Sequence, residues 1–290
     1  MFTPVTQLHY QRKSGRELIW SAGEGSPSEC QLIGTLLGSE VIRVRAIRST
    51  GTQVDESRYQ LADGGASTLP YHSWIVAKGD EEWPNFANEE EARTLLEPYL
   101  QGFALSSTAI RLTRPLESEE RIYGLGERTG TMNKRGLAFP IWNIDPPMFH
   151  IPKTVTMYTS IPFYLGLHMG NGRVYGVLID FTGAVEMDMG QTNEVEVTMT
   201  IQGDSMVAYF FAGPTPAHVM RQYTELTGRM PLPPRWALGY HQCRWSYSSE
   251  EQVRQLATRL RERNHPCDAI WLDIDLSLIH ISEPTRQAEI

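Results

Sequence analysis

Ala269-Ile-Trp-Leu-Asp-Ile-Asp275 is the stretch whose reading decides the fold. Four apolar residues run into two carboxylates, the pattern of a strand buried on both faces of a parallel sheet. In a (β/α)8 barrel the C-terminal ends of the strands carry the chemistry. Asp273 and Asp275 therefore stand where a barrel places binding or reacting groups, and alternation puts both on one side with Ile274 opposed. Upstream, Trp236-Ala-Leu-Gly-Tyr240 reads as a compact apolar strand ending in His241-Gln-Cys-Arg-Trp245. Ser248 and Ser249 precede Glu251 and Gln252 at the spacing of a helix capping box. Val253, Leu256, Ala257 and Leu260 follow at i, i+3, i+4, i+7, with Arg254, Arg259 and Glu262 on the other face. Asn264-His265-Pro266 ends that helix. Strand, helix and strand make one βαβ unit, expected to be parallel and right-handed. A complete barrel would need about six further strand–helix units.

The chain changes character at Leu276. Leu276-Ser-Leu-Ile-His-Ile-Ser-Glu-Pro-Thr-Arg286 matches, codon for codon, one frame of a DNA that resembles the transposon-end adapter of sequencing libraries. Residues 276–290 are accordingly set aside as a foreign tail. The expectation is a protein-derived part over 1–275, itself a fragment of a longer enzyme.

Residues 1 to 230 read as strands separated by turns. Glu40-Val-Ile-Arg-Val-Arg-Ala46 alternates, with Ile42, Val44 and Ala46 on one face and Arg43 and Arg45 on the other. Ser107–Leu112, Pro162–His168, Val174–Ile179, Val195–Ile201 and Met206–Ala212 are further strand candidates. Asp63-Gly-Gly65, Gly170-Asn-Gly172, Gly203-Asp204 and Gly213-Pro214 punctuate them as turns. Repeated short strands with little helix predict an antiparallel β-sandwich. One helix is expected over Thr215 to Thr227, and Met230-Pro-Leu-Pro-Pro234 then imposes an extended linker. The expected domains are a sandwich over 1–230, a barrel start over 231–275, and the tail.

Composition bounds the function. Hydrophobic residues are 41% of the chain and charged residues 21%, as in globular proteins. A net charge of −8 carries no electrostatic footprint for nucleic acid. The N-terminus has no basic segment followed by an apolar run, and no stretch approaches the ~18 apolar residues of a membrane span. Cys30, Cys243 and Cys267 are odd in number and far apart, which suits a reducing compartment and points to the cytoplasm. His241 with Cys243 and His265 with Cys267 lack a four-ligand spacing, so no metal is expected.

Each remaining motif has a functional and a plain reading. Asp273 and Asp275 can bind sugar hydroxyls, hold a metal or share a proton; alternatively one caps the next helix and pairs with Arg244. Tyr123-Gly-Leu-Gly-Glu-Arg-Thr-Gly130 fails the phosphate-loop spacing, because Thr129 occupies the third glycine position, and reads as a turn in a β-domain. Asp145, in Ile141-Trp-Asn-Ile-Asp-Pro-Pro147, reads locally as a turn aspartate accepting backbone hydrogen bonds. Seven Trp and twelve Tyr suit either carbohydrate recognition or an aromatic core.

Together these elements resemble glycoside hydrolase family 31, the α-glucosidase and α-xylosidase family. The resemblance rests on Tyr123–Arg128, Trp142-Asn-Ile-Asp145, Pro162-Phe-Tyr164, Tyr175-Gly-Val177, Pro231 through Gly239, Arg244-Trp-Ser-Tyr247 and Trp271-Leu-Asp-Ile-Asp275, in the family's order. It implies a galactose-mutarotase-like N-terminal sandwich, one loop of which reaches over the mouth of the (β/α)8 barrel. It also implies substrate-binding roles for Asp145, Trp245 and Asp273, with Asp275 as the second acid of its motif. Asp145 resembles the sandwich-loop aspartate of the sugar subsite, Trp245 an aromatic flanking that subsite, and Asp273 the aspartate on the −1 sugar.

The chemistry so implied is retaining hydrolysis by two aspartates, one a nucleophile and one an acid/base. Both lie on later barrel strands, so no catalytic residue is assigned here. The family continues its second-strand motif with Tyr and Met where this chain has Leu276 and Ser277, in keeping with a junction at 275/276. The expected function is an exo-acting α-glycosidase, foremost an α-glucosidase, on an oligosaccharide substrate and with no cofactor. An α-xylosidase, transglycosylase or lyase of the same family, or a non-catalytic carbohydrate-binding sandwich, are the alternatives.

Overall fold

Along Val41–Arg48 every second residue is buried, Ile42, Val44, Ala46 and Arg48 facing in. That period of two is the rule of the first part of the chain. The computed structural model describes residues 3–4, 8–14, 17–22, 30–37, 41–48, 99–146, 156–245 and 247–272. Two units divide the chain, Met1–Gly228 and Arg229–Ile290.

Among its described residues the first unit contains two antiparallel sheets. The smaller has six strands in the order β1 (Thr3–Pro4), β6 (Phe103–Leu105), β7 (Ala109–Pro115), β13 (Glu196–Gln202), β12 (Val185–Asp188) and β9 (Ala138–Ile141). The larger has eight, in the order β2 (His9–Ser14), β3 (Glu17–Ala22), β4 (Cys30–Leu36), β5 (Val41–Arg48), β14 (Ser205–Gly213), β11 (Val174–Asp180), β10 (Ser160–His168) and β8 (Glu120–Gly126). Trp20, Leu32, Val44, Val177 and Phe210 of the larger sheet share one core with Phe103, Ile110, Leu112, Met187 and Met199 of the smaller. This is an antiparallel β-sandwich. Its inner row on β5 ends at Arg48, whose Nε pairs with Asp204 at 2.9 Å and whose Nη2 donates to the Ala109 carbonyl at 3.3 Å. A buried cation is tolerable there because its donors are matched.

β14 is buried on both faces, as its unbroken apolar run from Met206 to Phe211 requires. Met206, Ala208 and Phe210 enter the inter-sheet core, while Val207, Tyr209 and Phe211 face a second cluster. α1 (Pro216–Thr227) covers that outer face with Val219, which is fully buried. Thr215 caps it, accepting from the His218 amide at 3.2 Å, and Pro216 opens its first turn. Gly176 lets the helix approach: a Cβ there would lie 2.8 Å from Val219 Cγ1 and 2.9 Å from Phe163 Cε2. Hence the glycine of Tyr175-Gly-Val177 is a packing residue.

In the second unit, β15 (His241–Cys243) runs parallel to β16 (Ala269–Trp271), with α2 (Glu250–Glu262) between them in sequence. The βαβ expectation is met, with one correction. Trp236–Tyr240 is no strand; Arg235–Leu238 forms a turn of 3-10 helix, with Ala237 N–H donating to Pro234 O and Gly239 N–H to Trp236 O. Pro234 stands at its N-cap, and the parallel register begins only at His241 opposite Ala269. Ser249 caps α2 by accepting from the Gln252 amide, and Gln252 Oε1 returns to the Ser248 amide at 2.8 Å. Val253, Leu256 and Leu260 are only half-buried and Ala257 is exposed, so caps and the Glu250–Arg254 pair carry much of this helix. Asn264, at φ +54°, ends it in the left-handed region.

Among the described residues no helix is long and apolar enough to cross a membrane. The turn expected at Asp63-Gly-Gly65 lies outside the described residues, as do Asp275 and the 276–290 tail.

Candidate functional site

Gly124, Leu125 and Gly126 all have positive φ, at +118°, +72° and +80°. β8 pairs with β10 at Gly124 opposite Tyr164 and again at Gly126 opposite Ser160, so β10 spends two extra residues in a bulge. A Cβ on Gly124 would lie 2.7 Å from the Phe163 carbonyl, and Leu125 is held in a strained conformation by complete burial. The Gly-Leu-Gly element is therefore a bent strand end rather than the simple turn expected from sequence. The Glu127 amide, just past the bend, is taken by Thr159 O at 2.8 Å.

The bend delivers Arg128 to the base of a loop. Its Nη1 donates to Glu127 O at 2.9 Å, and its Nη2 donates to Ser160 Oγ at 2.8 Å and to Pro140 O at 3.4 Å. Its guanidinium lies 5.8 Å from the centre of the Phe139 ring. Ser160 Oγ in turn donates to Trp142 O at 3.2 Å. Nearby, Lys134 is 5% exposed and donates to Thr131 O at 2.6 Å. Burial, and then the charge of Arg128, holds its ammonium below the usual lysine range.

Beyond β9 the loop Trp142–Asp145 is laced to the segment entering β10. Asn143 Oδ1 accepts from the Ser160 amide at 2.6 Å, Ile144 N–H donates to Met157 O at 3.0 Å, and Tyr158 OH donates to Asp145 Oδ1 at 2.9 Å. That bond to Asp145, more than anything else around it, raises the Tyr158 phenol above its ordinary range. Asp145 is exposed, as are Trp142 at 56% and Tyr158 at 52%. A carboxylate beside exposed aromatic faces is suited to polyhydroxylated rings, accepting from hydroxyls while the aromatics cover C–H faces. Among the described residues Asp145 accepts from the Tyr158 side chain, and the backbone amides beyond Pro146 that a turn aspartate would engage lie outside them. Sequence reasoning missed Tyr158, thirteen residues away, because no local pattern links the two.

In the second unit, Trp271 Nε1–H donates to His241 Nδ1 at 3.0 Å, and His241 Nε2 lies 3.2 Å from Trp236 O. Both ring nitrogens of His241 are thus engaged, Nδ1 by the Trp271 indole and Nε2 beside the Trp236 carbonyl. Its ring stacks on Trp236 with centroids 5.9 Å apart. Trp245, two residues past β15, is 78% exposed, and Arg244 lies over the Tyr247 ring at 5.7 Å. Asp273 lies outside the described residues. Among the described residues no group of three His, Cys, Asp or Glu side chains could hold a metal ion.

Two family descriptions match the chain: the glycosyl hydrolase 31 N-terminal galactose mutarotase-like domain over residues 70–188, and the glycosyl hydrolases family 31 TIM-barrel domain over 230–283. The chain belongs to glycoside hydrolase family 31. The barrel match reaches residue 283, eight positions past the junction expected at 275/276. Among curated family relatives, α-glucosidase 2 of Bacillus thermoamyloliquefaciens is 43% identical over 159 residues, 55% of this chain and 20% of the relative. Mouse lysosomal α-glucosidase is 32% identical over 185 residues, 63% of this chain and 19% of the relative. The chain thus spans about a fifth of these relatives' length. A family 31 dextranase of Flavobacterium johnsoniae, solved with isomaltotriose, shares the fold at a TM-score of 0.70 and 24% identity, over 93% of this chain and 34% of the other.

Proposed function

We propose that this chain is the N-terminal part of a retaining, exo-acting α-glycosidase, an α-glucosidase in the first place, that releases terminal sugars from the non-reducing end of oligosaccharides. The observation that carries the reading is the Asp145 carboxylate, braced on an exposed loop beside Trp142 and Tyr158. The 43% identity to an α-glucosidase supports it. In this reading Asp145 and Asp273 each accept hydrogen bonds from sugar hydroxyls, and Trp245 offers an aromatic face to a sugar ring.

Cleavage needs a nucleophile on the anomeric carbon and an acid on the leaving oxygen. Those two aspartates are expected on later barrel strands, so the 290 residues by themselves turn over no glycoside. Residues 1–230 and 231–275 are read as the sandwich and the barrel start, and 276–290 as the foreign tail. The enzyme is placed in the cytoplasm, works without a cofactor and has no nucleic-acid or membrane partner.

Purified 1–290 and the protein encoded by the continuous reading frame are to be assayed side by side on aryl α-glucosides and α-xylosides. The expected result is turnover of the glucoside by the complete protein alone. Preference for the xyloside would reassign the sugar, and turnover by purified 1–290 would overturn the placement of the catalytic pair.

A further inference from the structure

We propose that Tyr158 is the positioning residue of Asp145, engaging Oδ1 so that Oδ2 is the oxygen presented to a sugar hydroxyl. The inference rests on the reading of Asp145 as a sugar-subsite residue. Three contacts in succession join the two segments: Asn143 with Ser160, Ile144 with Met157, and Asp145 with Tyr158. The first ties the Asn143 side chain and the second the Ile144 backbone to the facing segment, and both leave the Asp145 carboxylate free to rotate about its own bonds. Only the third reaches the carboxylate, and among the described residues no other hydrogen bond does.

An exposed aspartate otherwise samples several rotamers, and fixing one on binding costs conformational entropy. A carboxylate already held by a phenol meets that cost in the folded protein, so the sugar gains affinity through preorganisation. The phenol also suits the task chemically. It donates one hydrogen bond as an ordinary neutral phenol, its ionisation is pushed further up by the bond to Asp145, and it leaves the second oxygen with its full acceptor capacity. Its ring is half-exposed beside the carboxylate, so the bond sits at the surface where a sugar would arrive.

The test uses the complete enzyme with Tyr158→Phe, Asp145→Asn and the double variant. Phenylalanine keeps the ring and removes only the hydroxyl. Tyr158→Phe is expected to raise KM about 5-fold, the usual worth of one hydrogen bond, with kcat changed less than twofold. Asp145→Asn should raise KM further, and the double variant should match Asp145→Asn, since a positioning group has nothing left to position. A ligand-free readout accompanies this: the phenol that Tyr158→Phe removes from the tyrosine titration should ionise at lower pH in Asp145→Asn than in the parent. An unchanged KM in Tyr158→Phe alongside a raised KM in Asp145→Asn would overturn the positioning role alone. So would additive effects in the double variant, or an unmoved phenol titration. An unchanged KM in Asp145→Asn would overturn the subsite reading itself.

Discussion

Phe163 on β10 and Tyr223 on α1 stack with ring centroids 4.1 Å apart and planes 25° from parallel. Phe211 on β14 meets both rings edge-on, at 6.0 Å from Phe163 and 6.1 Å from Tyr223. This triad and Val219 fasten α1 to the outer face of the eight-stranded sheet. Tyr223→Ala is expected to cost about 2 kcal/mol, less than for a fully buried aromatic because Tyr223 is only partly buried. Urea unfolding would read the loss, and hydrogen exchange should show it concentrated in α1.

The bend at Gly124 has no alternative residue. Alanine there would take a left-handed backbone and meet the Phe163 carbonyl at 2.7 Å, an atom held in the sheet. Gly124→Ala should destabilise the first unit by about 2–3 kcal/mol. Because the bend carries Arg128 to Ser160, the same variant should raise exchange at the Ser160 amide before global unfolding. Protection of that amide at parent levels would show that the bend and the loop are independent.

Asp180, at the end of β11, has its carboxyl raised above the ordinary aspartate range by burial, which the opposing charge of Arg43 only partly offsets. A raised folded-state value means that the native protein holds the proton more tightly than the unfolded chain. The penalty is absent below about pH 3.9, the unfolded value, and grows as pH rises through the folded-state value. Asp180→Asn should therefore raise the urea midpoint at pH 7 and leave it nearly unchanged at pH 3. An equal gain at both pH values would assign the effect to packing instead.

Ser249 Oγ accepts from the Gln252 amide at 3.2 Å across the start of α2, and the Gln252 side chain reaches back to the Ser248 amide. No residue of this helix is buried, so the cap is a large share of what holds it. Ser249→Ala is expected to cost about 1 kcal/mol, and Ser249→Asp much less, since aspartate caps as well and favours the helix N-terminus. Circular dichroism and exchange at the Gln252 amide would measure it.

Much of the fold was legible because it is local. The alternation of Ile42, Val44 and Ala46 is the burial of β5, and Ser249 with Gln252 is the cap of α2. The family, too, was written in short ordered motifs such as Tyr123–Arg128 and Trp142–Asp145. Tertiary structure decided what depends on a partner far away in sequence. Trp236-Ala-Leu-Gly-Tyr240 has the composition of a strand, yet Ala269–Trp271 pairs with His241–Cys243, and the residues before them close into a turn behind Pro234. Gly-Leu-Gly becomes a bend only because β10 places two extra residues opposite it. Asp145 reads in sequence as a turn aspartate; it is a braced carboxylate because the chain returns after thirteen residues with a phenol 2.9 Å away. Periodicity and capping are properties of neighbouring residues, and sequence by itself determined them. Register, bulges and the partner of an exposed carboxylate depend on which distant segments meet, and only the folded chain settles that.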